Sequence, residues 1–170
     1  VGDFVGADRS LTQAYKLLKD SNEHQKLYVI FTMMGIVANE TKDYQKAINY
    51  YTRALEIIRK NNLTDGYQEA TCLNNMGYNY QILGKYDEAI KCFDNVIEIN
   101  PNFLDAYYNK IDSLYNLKKY NEAIECYDKL IKINPIDFEA YNNKGIFLIN
   151  LNKYYEALNC FDKAIEINPY

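Results

Sequence analysis

The sequence predicts an all-α fold, in which helix-turn-helix repeats stack side by side as a solenoid. Three observations predict this class. Several residue types recur without gaps every 34 residues, as expected of a stacked repeat architecture. Within each repeat, apolar residues are spaced by three and four positions, which places them along one face of an α-helix. Three of the repeats close on an Asn-Pro pair, and proline disfavours helix in the residue before it.

The 34-residue register is carried by alanines, by two aromatic series and by the closing prolines. Its members are Ala89, Ala123 and Ala157; Tyr86, Tyr120 and Tyr154; Phe93, Tyr127 and Phe161; and Pro101, Pro135 and Pro169. A fourth copy lies 42 residues upstream, with its alanine at Ala47. The eight residues by which 42 exceeds 34 are expected in a turn at 61–66, or in helices extended on either side of it.

Each repeat is predicted to consist of two amphipathic helices joined by a short turn. The second helix is clearest at Tyr86–Ile99, and the first helix before it at Glu69–Leu83. Gly84 lies between them and is free to adopt a positive φ. The four first helices are predicted at about 28–39, 69–83, 103–117 and 137–151.

These elements divide the chain into five segments. Residues 1–27 form a capping helix or a degenerate repeat, with helical spacing over Ser10–Asp20. Repeat 1 with an extended turn occupies 28–69, and repeats 2, 3 and 4 occupy 70–103, 104–137 and 138–170. The last helix pair is expected to leave an apolar edge, which further protein or another chain would cover.

Composition and charge narrow the class of partner. The 170 residues are 48% hydrophobic and 25% charged, as in a folded protein. The net charge of −4 and the lack of a Lys/Arg-rich run argue against nucleic acid as the main partner. The longest apolar runs fall short of the roughly 20 residues of a membrane span. The chain begins at Val1, without an initiator Met or signal-like residues, so we interpret it as an excised or processed form.

The sequence offers little for catalysis. His24 is the single histidine and is expected to be exposed at a helix start. One repeat position carries a cysteine in three successive repeats: Cys92, Cys126 and Cys160. Stacked helices lie about 10 Å apart, which is too far for a disulfide between these cysteines. Zinc-site spacing, phosphate-binding glycine loops and metalloprotease motifs are missing. We therefore predict a non-enzyme without cofactor or metal, with these thiols as small buried hydrophobes in the reducing cytoplasm.

The repeats resemble the tetratricopeptide repeat family over about residues 28–170. The family's small, large and proline positions appear as Gly77, Tyr80, Ala89, Phe93 and Pro101, and as Gly145, Leu148, Ala157, Phe161, Ala164 and Pro169. Ile111 departs from the pattern, because the other repeats have glycine there, and Arg59 replaces the closing proline of repeat 1. The resemblance implies a right-handed superhelix whose first helices line a concave face that binds a protein or an extended peptide.

One series on that face indicates how a peptide could be held. Asn75, Asn109 and Asn143 keep the 34-residue step inside first helices, although asparagine is a mediocre helix former. A side-chain amide both donates and accepts, so it can bind a peptide backbone of any sequence. The series is similar to the asparagine ladder of the O-GlcNAc transferase superhelix. The alternative is that these amides bond within the stack or are incidental in an Asn-rich chain.

Neighbouring positions complete the candidate surface. They are Asn74, Asn142, Tyr78, Tyr108, Asp112 and Tyr115, together with Thr71, Asp105, Glu139 and Ile146. Tyr78 and Tyr108 are the expected aromatic anchors, and the carboxylates favour a ligand with some positive charge. Asp105 and Glu139 stand where related proteins that grip a terminal carboxylate have lysine, so that clamp is not expected.

The sequence thus predicts a scaffold module that binds protein or peptide in the concave groove. One alternative is self-assembly with another copy through the C-terminal helix edge. The other is a regulatory domain of a larger protein whose effector domain lies outside this chain. Nucleic acid and membrane are not expected partners.

Overall fold

The computed structural model describes residues 3–63 and 66–169, and every regular element within them is an α-helix. The nine helices of these residues are α1 (Phe4–Leu18), α2 (His24–Glu40), α3 (Tyr44–Asn61), α4 (Tyr67–Ile82), α5 (Tyr86–Ile99), α6 (Leu104–Asn116), α7 (Tyr120–Ile133), α8 (Phe138–Asn150) and α9 (Tyr154–Ile167). They form two compact units. Unit 1 is Val1–Pro101 and contains α1 to α5; unit 2 is Asn102–Tyr170 and contains α6 to α9.

Consecutive helices of each unit pack against one another, and small residues lie at the contacts. The four alanines of the register, Ala47, Ala89, Ala123 and Ala157, are all buried. In unit 1 the ring of Tyr51 lies against Gly35, and that of Phe93 against Gly77; in unit 2 the ring of Phe161 lies against Gly145. The hairpins therefore close by fitting an aromatic ring against bare backbone.

The α6–α7 hairpin is the exception. Ile111 occupies the glycine position of α6, and its side chain is fully buried. The backbones of α6 and α7 approach one another less closely than those of the other three hairpins. In the other hairpins the glycine leaves room for an aromatic ring of the second helix. The branched side chain of Ile111 fills that room itself, so α6 and α7 stand further apart.

The eight extra residues of repeat 1 mainly lengthen its helices. α3 has 18 residues against 14 in α5, and α4 has 16 against 13 in α6. Asn62 caps the C-terminus of α3 and Gly66 precedes the first residue of α4; both have a positive φ. Of the predicted 61–66 turn, Thr64 and Asp65 lie outside the described residues. The sequence had left the extended helices open as the second possibility, and the structure has them.

The N-terminal boundaries were predicted less well. α1 begins at Phe4 and not at Ser10, because the Asp3 side chain accepts a hydrogen bond from Gly6 N at 2.8 Å and caps the helix. α2 begins at His24, four residues before the predicted start, and His24 is half-buried where exposure was expected. Within the described residues α1 buries no side chain; it packs on α2 through Tyr15, whose ring centroid lies 5.2 Å from that of Phe31.

The turns and thiols follow the predictions. Gly84 has φ 72, and α5 ends at Ile99 just before the Asn-Pro pair. Cys92, Cys126 and Cys160 are buried free thiols, as is Cys72. Burial raises the pKa of the Cys92 thiol to about 11, so it remains protonated and packs as a small hydrophobic side chain.

Candidate functional site

The first helices of the hairpins each leave one stripe of side chains open to solvent. The stripes are Val29, Met33 and Ile36 on α2; Thr71, Asn75, Tyr78 and Ile82 on α4; Asp105, Asn109 and Asp112 on α6; and Glu139, Asn143 and Ile146 on α8. Their members are exposed or half-buried, while the opposite sides of these helices pack in the interior. We call the α2 and α4 stripes the inner face of unit 1, and the α6 and α8 stripes the inner face of unit 2.

In unit 1, a polar contact holds α2 beside α4. Thr32 Oγ1 lies 3.4 Å from Cys72 Sγ. The Thr32 hydroxyl donates to Tyr28 O at 2.9 Å, so the Cys72 thiol is left as the donor to Thr32. Residues 27–39 of α2 and 70–84 around α4 include no charged side chain. The inner face of unit 1 is therefore an uncharged surface that extends across two helices.

The three asparagines of the proposed ladder all lie half-buried on the inner faces. Asn75 also hydrogen-bonds the buried Tyr51 hydroxyl; burial raises the pKa of Tyr51, and this bond opposes the shift. Hydrogen bonding within the stack is the alternative to peptide binding that the sequence left open, and Asn75 makes such a bond. The Asn143 side chain makes no hydrogen bond to any residue that the structure describes. The ladder therefore stays a prediction.

A buried amide next to the ladder was missed by the sequence reasoning. Asn79 is 1% exposed, and its Nδ2 donates to Asn75 O at 2.7 Å. Its Oδ1 finds no hydrogen-bond partner in the described part of the chain. Ser113, one register step later, is also buried and donates to Asn109 O at 3.1 Å. A signal for these buried polar residues was present in the sequence: Asn79 and Ser113 occupy the register position that the last repeat fills with Phe147.

In unit 2, Tyr108 ties α6 to the start of α8. Its hydroxyl donates to Asp137 Oδ2 at 2.7 Å, while Asp137 Oδ1 accepts from Ala140 N at 3.0 Å and caps α8. Burial, and next the bond to Asp137, raise the pKa of Tyr108. Tyr108 was predicted as an anchor for a ligand. Because its hydroxyl is occupied, the half-buried ring is what it offers to a partner.

The remaining aromatic candidates differ in exposure. Tyr115 packs on Phe147 and Tyr120, with ring centroids 5.5 and 6.0 Å away, and keeps about half of its surface open. Tyr78 lies on the α4 stripe with a similar open fraction. Both rings are therefore accessible to a partner, and Tyr115 is also held by an aromatic cluster within unit 2.

The inner face of unit 2 is negative. Asp105, Asp112 and Glu139 are exposed on it, and partial desolvation raises the pKa of Asp112. Lys144 lies on the same helix as Glu139 but pairs with Asp128 on α7. Asn142 is exposed beside these carboxylates, whereas Asn74 in unit 1 is half-buried. A cationic side chain would find favourable charge here.

Neither a metal-binding cluster nor a membrane span occurs among residues 3–63 and 66–169. No three His, Cys, Asp or Glu side chains among them lie close enough to hold a metal ion. None of the helices in this range combines the length and the apolar character of a bilayer span.

Two models of one family together match most of the chain. The tetratricopeptide repeat is matched at 27–102, 104–137 and 138–170. The photosystem I assembly protein Ycf3 of Acaryochloris marina is 31% identical over 75 residues, which are 44% of this chain and 42% of that protein. The chain spans between 14% and 42% of the length of the curated relatives that it matches.

Solved structures show the same fold at low sequence identity. The crystal structure of MamA is 24% identical with a TM-score of 0.79, covering 99% of this chain and 90% of that chain. YrrB, described as a TPR protein with an unusual peptide-binding site, is 20% identical with a TM-score of 0.75, covering 98% and 79%. The predicted class, an all-α solenoid of tetratricopeptide hairpins, is confirmed.

Proposed function

The chain belongs to the tetratricopeptide repeat family, and from this we infer that it is a protein-interaction scaffold that holds an extended segment of another polypeptide on its inner faces. Repeats of this family generally act as non-catalytic scaffolds. We propose the same for this chain, with recognition and no reaction chemistry. The buried free thiols support a reducing, cytoplasmic setting.

The observation that carries the proposal is the series of amides on the inner faces, one on each of three successive first helices. Asn75, Asn109 and Asn143 keep part of their surface open on solvent-facing stripes. Three residues of an extended peptide span about 10 Å, close to the separation of packed helices. Within unit 2, Asn109 and Asn143 could therefore bond peptide units three residues apart, and Asn75 could bond the backbone of a segment that lies on unit 1. The bond from Asn75 to Tyr51 uses only part of its capacity, since an amide has two N–H groups and an acceptor oxygen.

Charge adds a preference for the ligand. The carboxylates of Asp105, Asp112 and Glu139 favour lysine or arginine in the segment that meets unit 2. They disfavour a free terminal carboxylate and the phosphates of nucleic acid. The tyrosine rings of Tyr78 and Tyr115 supply accessible aromatic surface for anchoring.

The relatives support an interaction role by analogy. YrrB is described as having a peptide-binding site, and Ycf3 is named as an assembly protein. Self-assembly through the C-terminal edge and a regulatory role within a larger protein are not favoured by these comparisons.

The test replaces the three ladder asparagines together by alanine. Fluorescein-labelled peptides of about 12 residues, long enough to lie along one unit, would be titrated in three compositions: Lys-containing, uncharged with aliphatic residues, and Glu-containing. The expected result is loss of at least about tenfold in affinity for every peptide that binds the wild type, because each loses backbone hydrogen bonds.

The matched control replaces Asn95, Asn121 and Asn159 by alanine, since these are exposed asparagines on the second helices α5, α7 and α9. This variant is expected to bind like the wild type. Unaltered affinity of the ladder variant, with wild-type circular dichroism, would remove the ladder. Failure of all three peptide classes to bind the wild type would remove the inner faces as peptide sites.

A further inference from the structure

The inner face of unit 1 displays apolar side chains that the fold leaves in solvent. Val29, Met33 and Ile36 lie on successive turns of α2, and Tyr78 and Ile82 on the neighbouring stripe of α4. Each of the five is between 38% and 50% exposed. Contiguous exposed apolar surface of this kind commonly marks an interaction site.

Packing does not require apolar residues at these positions. The opposite side of α2 supplies the core through Leu27, Phe31 and Met34, which are buried. The α2 stripe corresponds, by the repeat register, to Asp105, Asn109 and Asp112 on α6. Since α6 forms the same element with polar side chains, the apolar stripe of α2 is dispensable for the hairpin. A helix with apolar side chains on both sides is normally buried on both sides by other protein.

The charges around the face define its partner. α2 has charged residues only at its ends, with Lys26 before the stripe and Glu40 after it. On α4, Glu69 lies outside the stripe and is already paired with Arg59 at 2.6 Å. Between Lys26 and Glu40, a charged ligand side chain would lose water without gaining an opposite charge, which costs free energy. The face is therefore complementary to uncharged side chains.

The dimensions fit a short extended segment. The seven residue-to-residue steps from Val29 to Ile36 rise about 10 Å along α2, which is the length of about three residues of extended chain. Met33 lies in the middle, and its flexible thioether adapts to ligand side chains of different shape. Asn75, on the adjoining stripe of α4, keeps part of its surface open to the ligand backbone.

We propose that the inner face of unit 1 binds an uncharged segment of a partner polypeptide through aliphatic side chains that cover Val29, Met33, Ile36, Tyr78 and Ile82. This assignment rests on the proposed function and names the ligand class of one part of its surface. The two units then select different residues, aliphatic ones on unit 1 and basic ones on unit 2.

The test compares two labelled peptides of about 12 residues on a common Ser/Asn background, one with three leucines and one with three lysines at alternate positions. The variant is Met33→Asn with Ile36→Asp, which copies Asn109 and Asp112 of α6. It is expected to bind the leucine peptide at least about tenfold more weakly, because two apolar contacts at the centre of the face are lost. Its affinity for the lysine peptide should not fall.

The control is Leu17→Gln with Leu158→Gln, which removes two exposed leucines outside the inner faces and should leave both affinities unchanged. Met33→Gln with Ile36→Gln repeats the test with better helix formers, so that a folding defect of the first variant is recognised. Circular dichroism and the urea midpoint verify the fold of each variant.

The outcomes separate this proposal from the scaffold function. If the wild type binds the lysine peptide and not the leucine peptide, the scaffold stands and the aliphatic assignment fails. Equal weakening in the control variant also overturns it. So does a concentration-dependent dimer, seen by sedimentation, that Met33→Asn with Ile36→Asp abolishes, because a second copy would then cover the face. If no peptide binds the wild type, the scaffold function itself fails.

Discussion

A Cβ atom placed on Gly77 would lie 2.6 Å from Cε1 of Phe93, closer than carbon atoms approach in folded proteins. The ring of the second helix thus occupies the space that a side chain on the first helix would need. The same contact recurs between Gly35 and Tyr51, in the hairpin before it. Closure of these hairpins therefore depends on a glycine and an aromatic residue acting together.

Gly77→Ala is expected to destabilise the protein. Alanine favours a helix interior over glycine by about 1 kcal/mol. Overpacking a fully buried ring costs about 1–3 kcal/mol, so the clash should prevail. Urea unfolding followed by circular dichroism measures the difference. Gly77→Ala with Phe93→Leu is the control, because the smaller side chain should relieve the clash; an unchanged midpoint for Gly77→Ala alone would contradict the close contact.

Lys118→Gly is expected to stabilise the protein. Lys118 has φ 58 at the turn position that Gly84 fills with φ 72. A non-glycine residue in this left-handed region costs about 1–2 kcal/mol, partly offset by the greater chain entropy of glycine when unfolded. Asn152→Gly, at the same register position with φ 59, is the comparison. It should gain less, since asparagine tolerates this conformation, and a larger gain at Asn152 would refute the argument.

Asn79→Leu is expected to raise the thermal midpoint. The buried Asn79 Oδ1 has no partner in the described part of the chain, and such an atom costs about 1–3 kcal/mol. Leucine has the same number of side-chain heavy atoms with the same branching and removes this cost, at the loss of one hydrogen bond of about 1 kcal/mol. Calorimetry should show a net gain near 1 kcal/mol. Asn159→Leu on the exposed side of α9 is the control and should change little; destabilisation by Asn79→Leu would mean that Oδ1 is satisfied.

Stability is expected to fall in alkali through Cys92. Burial raises the pKa of this thiol from 9.0 to about 11. A raised folded-state pKa means that the unfolded chain releases its proton first, so the contribution is complete below pH 9.0 and is lost as pH rises towards 11. The shift corresponds to about 2–3 kcal/mol. Urea unfolding below pH 9.0 and near pH 11 should show a smaller alkaline loss for Cys92→Ala than for the wild type; equal losses would exclude the thiol as a source.

Tyr108→Phe is expected to cost about 1 kcal/mol, the value of one hydrogen bond. The Tyr108 hydroxyl donates to Asp137 Oδ2, and this carboxylate caps α8. Amide hydrogen exchange should rise in the first turn of α8. Tyr78→Phe changes the same atom on an exposed ring and should leave stability and exchange unaltered. Unaltered exchange in Tyr108→Phe would show that Asp137 holds the cap alone.

The sequence predicted the hairpins well where local signals repeat. Predicted and observed bounds coincide for Tyr86–Ile99, and α6 and α8 differ from their predictions by one residue at each end. Helical spacing and Asn-Pro stops act within a few residues, so they are readable without tertiary information. α1 and the start of α2 were misjudged because their signals, a cap at Asp3 and a half-buried His24, are single and unrepeated.

The candidate site was predicted in part. Its polar members stood out because asparagine recurs where helices seldom favour it. Asn79 and the apolar stripe of α2 were missed, since one amide in a half-apolar helix carries no periodic signal. In residues 27–39 nearly every side chain is apolar, so spacing cannot separate the buried side from the open one.

By itself, the sequence determined the all-α class, the repeat register and the family, because each depends on patterns that recur along the chain. Tertiary structure decided which side of α2 faces solvent. It also decided that Asn75 hydrogen-bonds Tyr51 and that the Tyr108 hydroxyl donates to Asp137. The physical reason is that burial and hydrogen bonding belong to pairs of residues far apart in sequence. Their partners are known only when helices lie side by side.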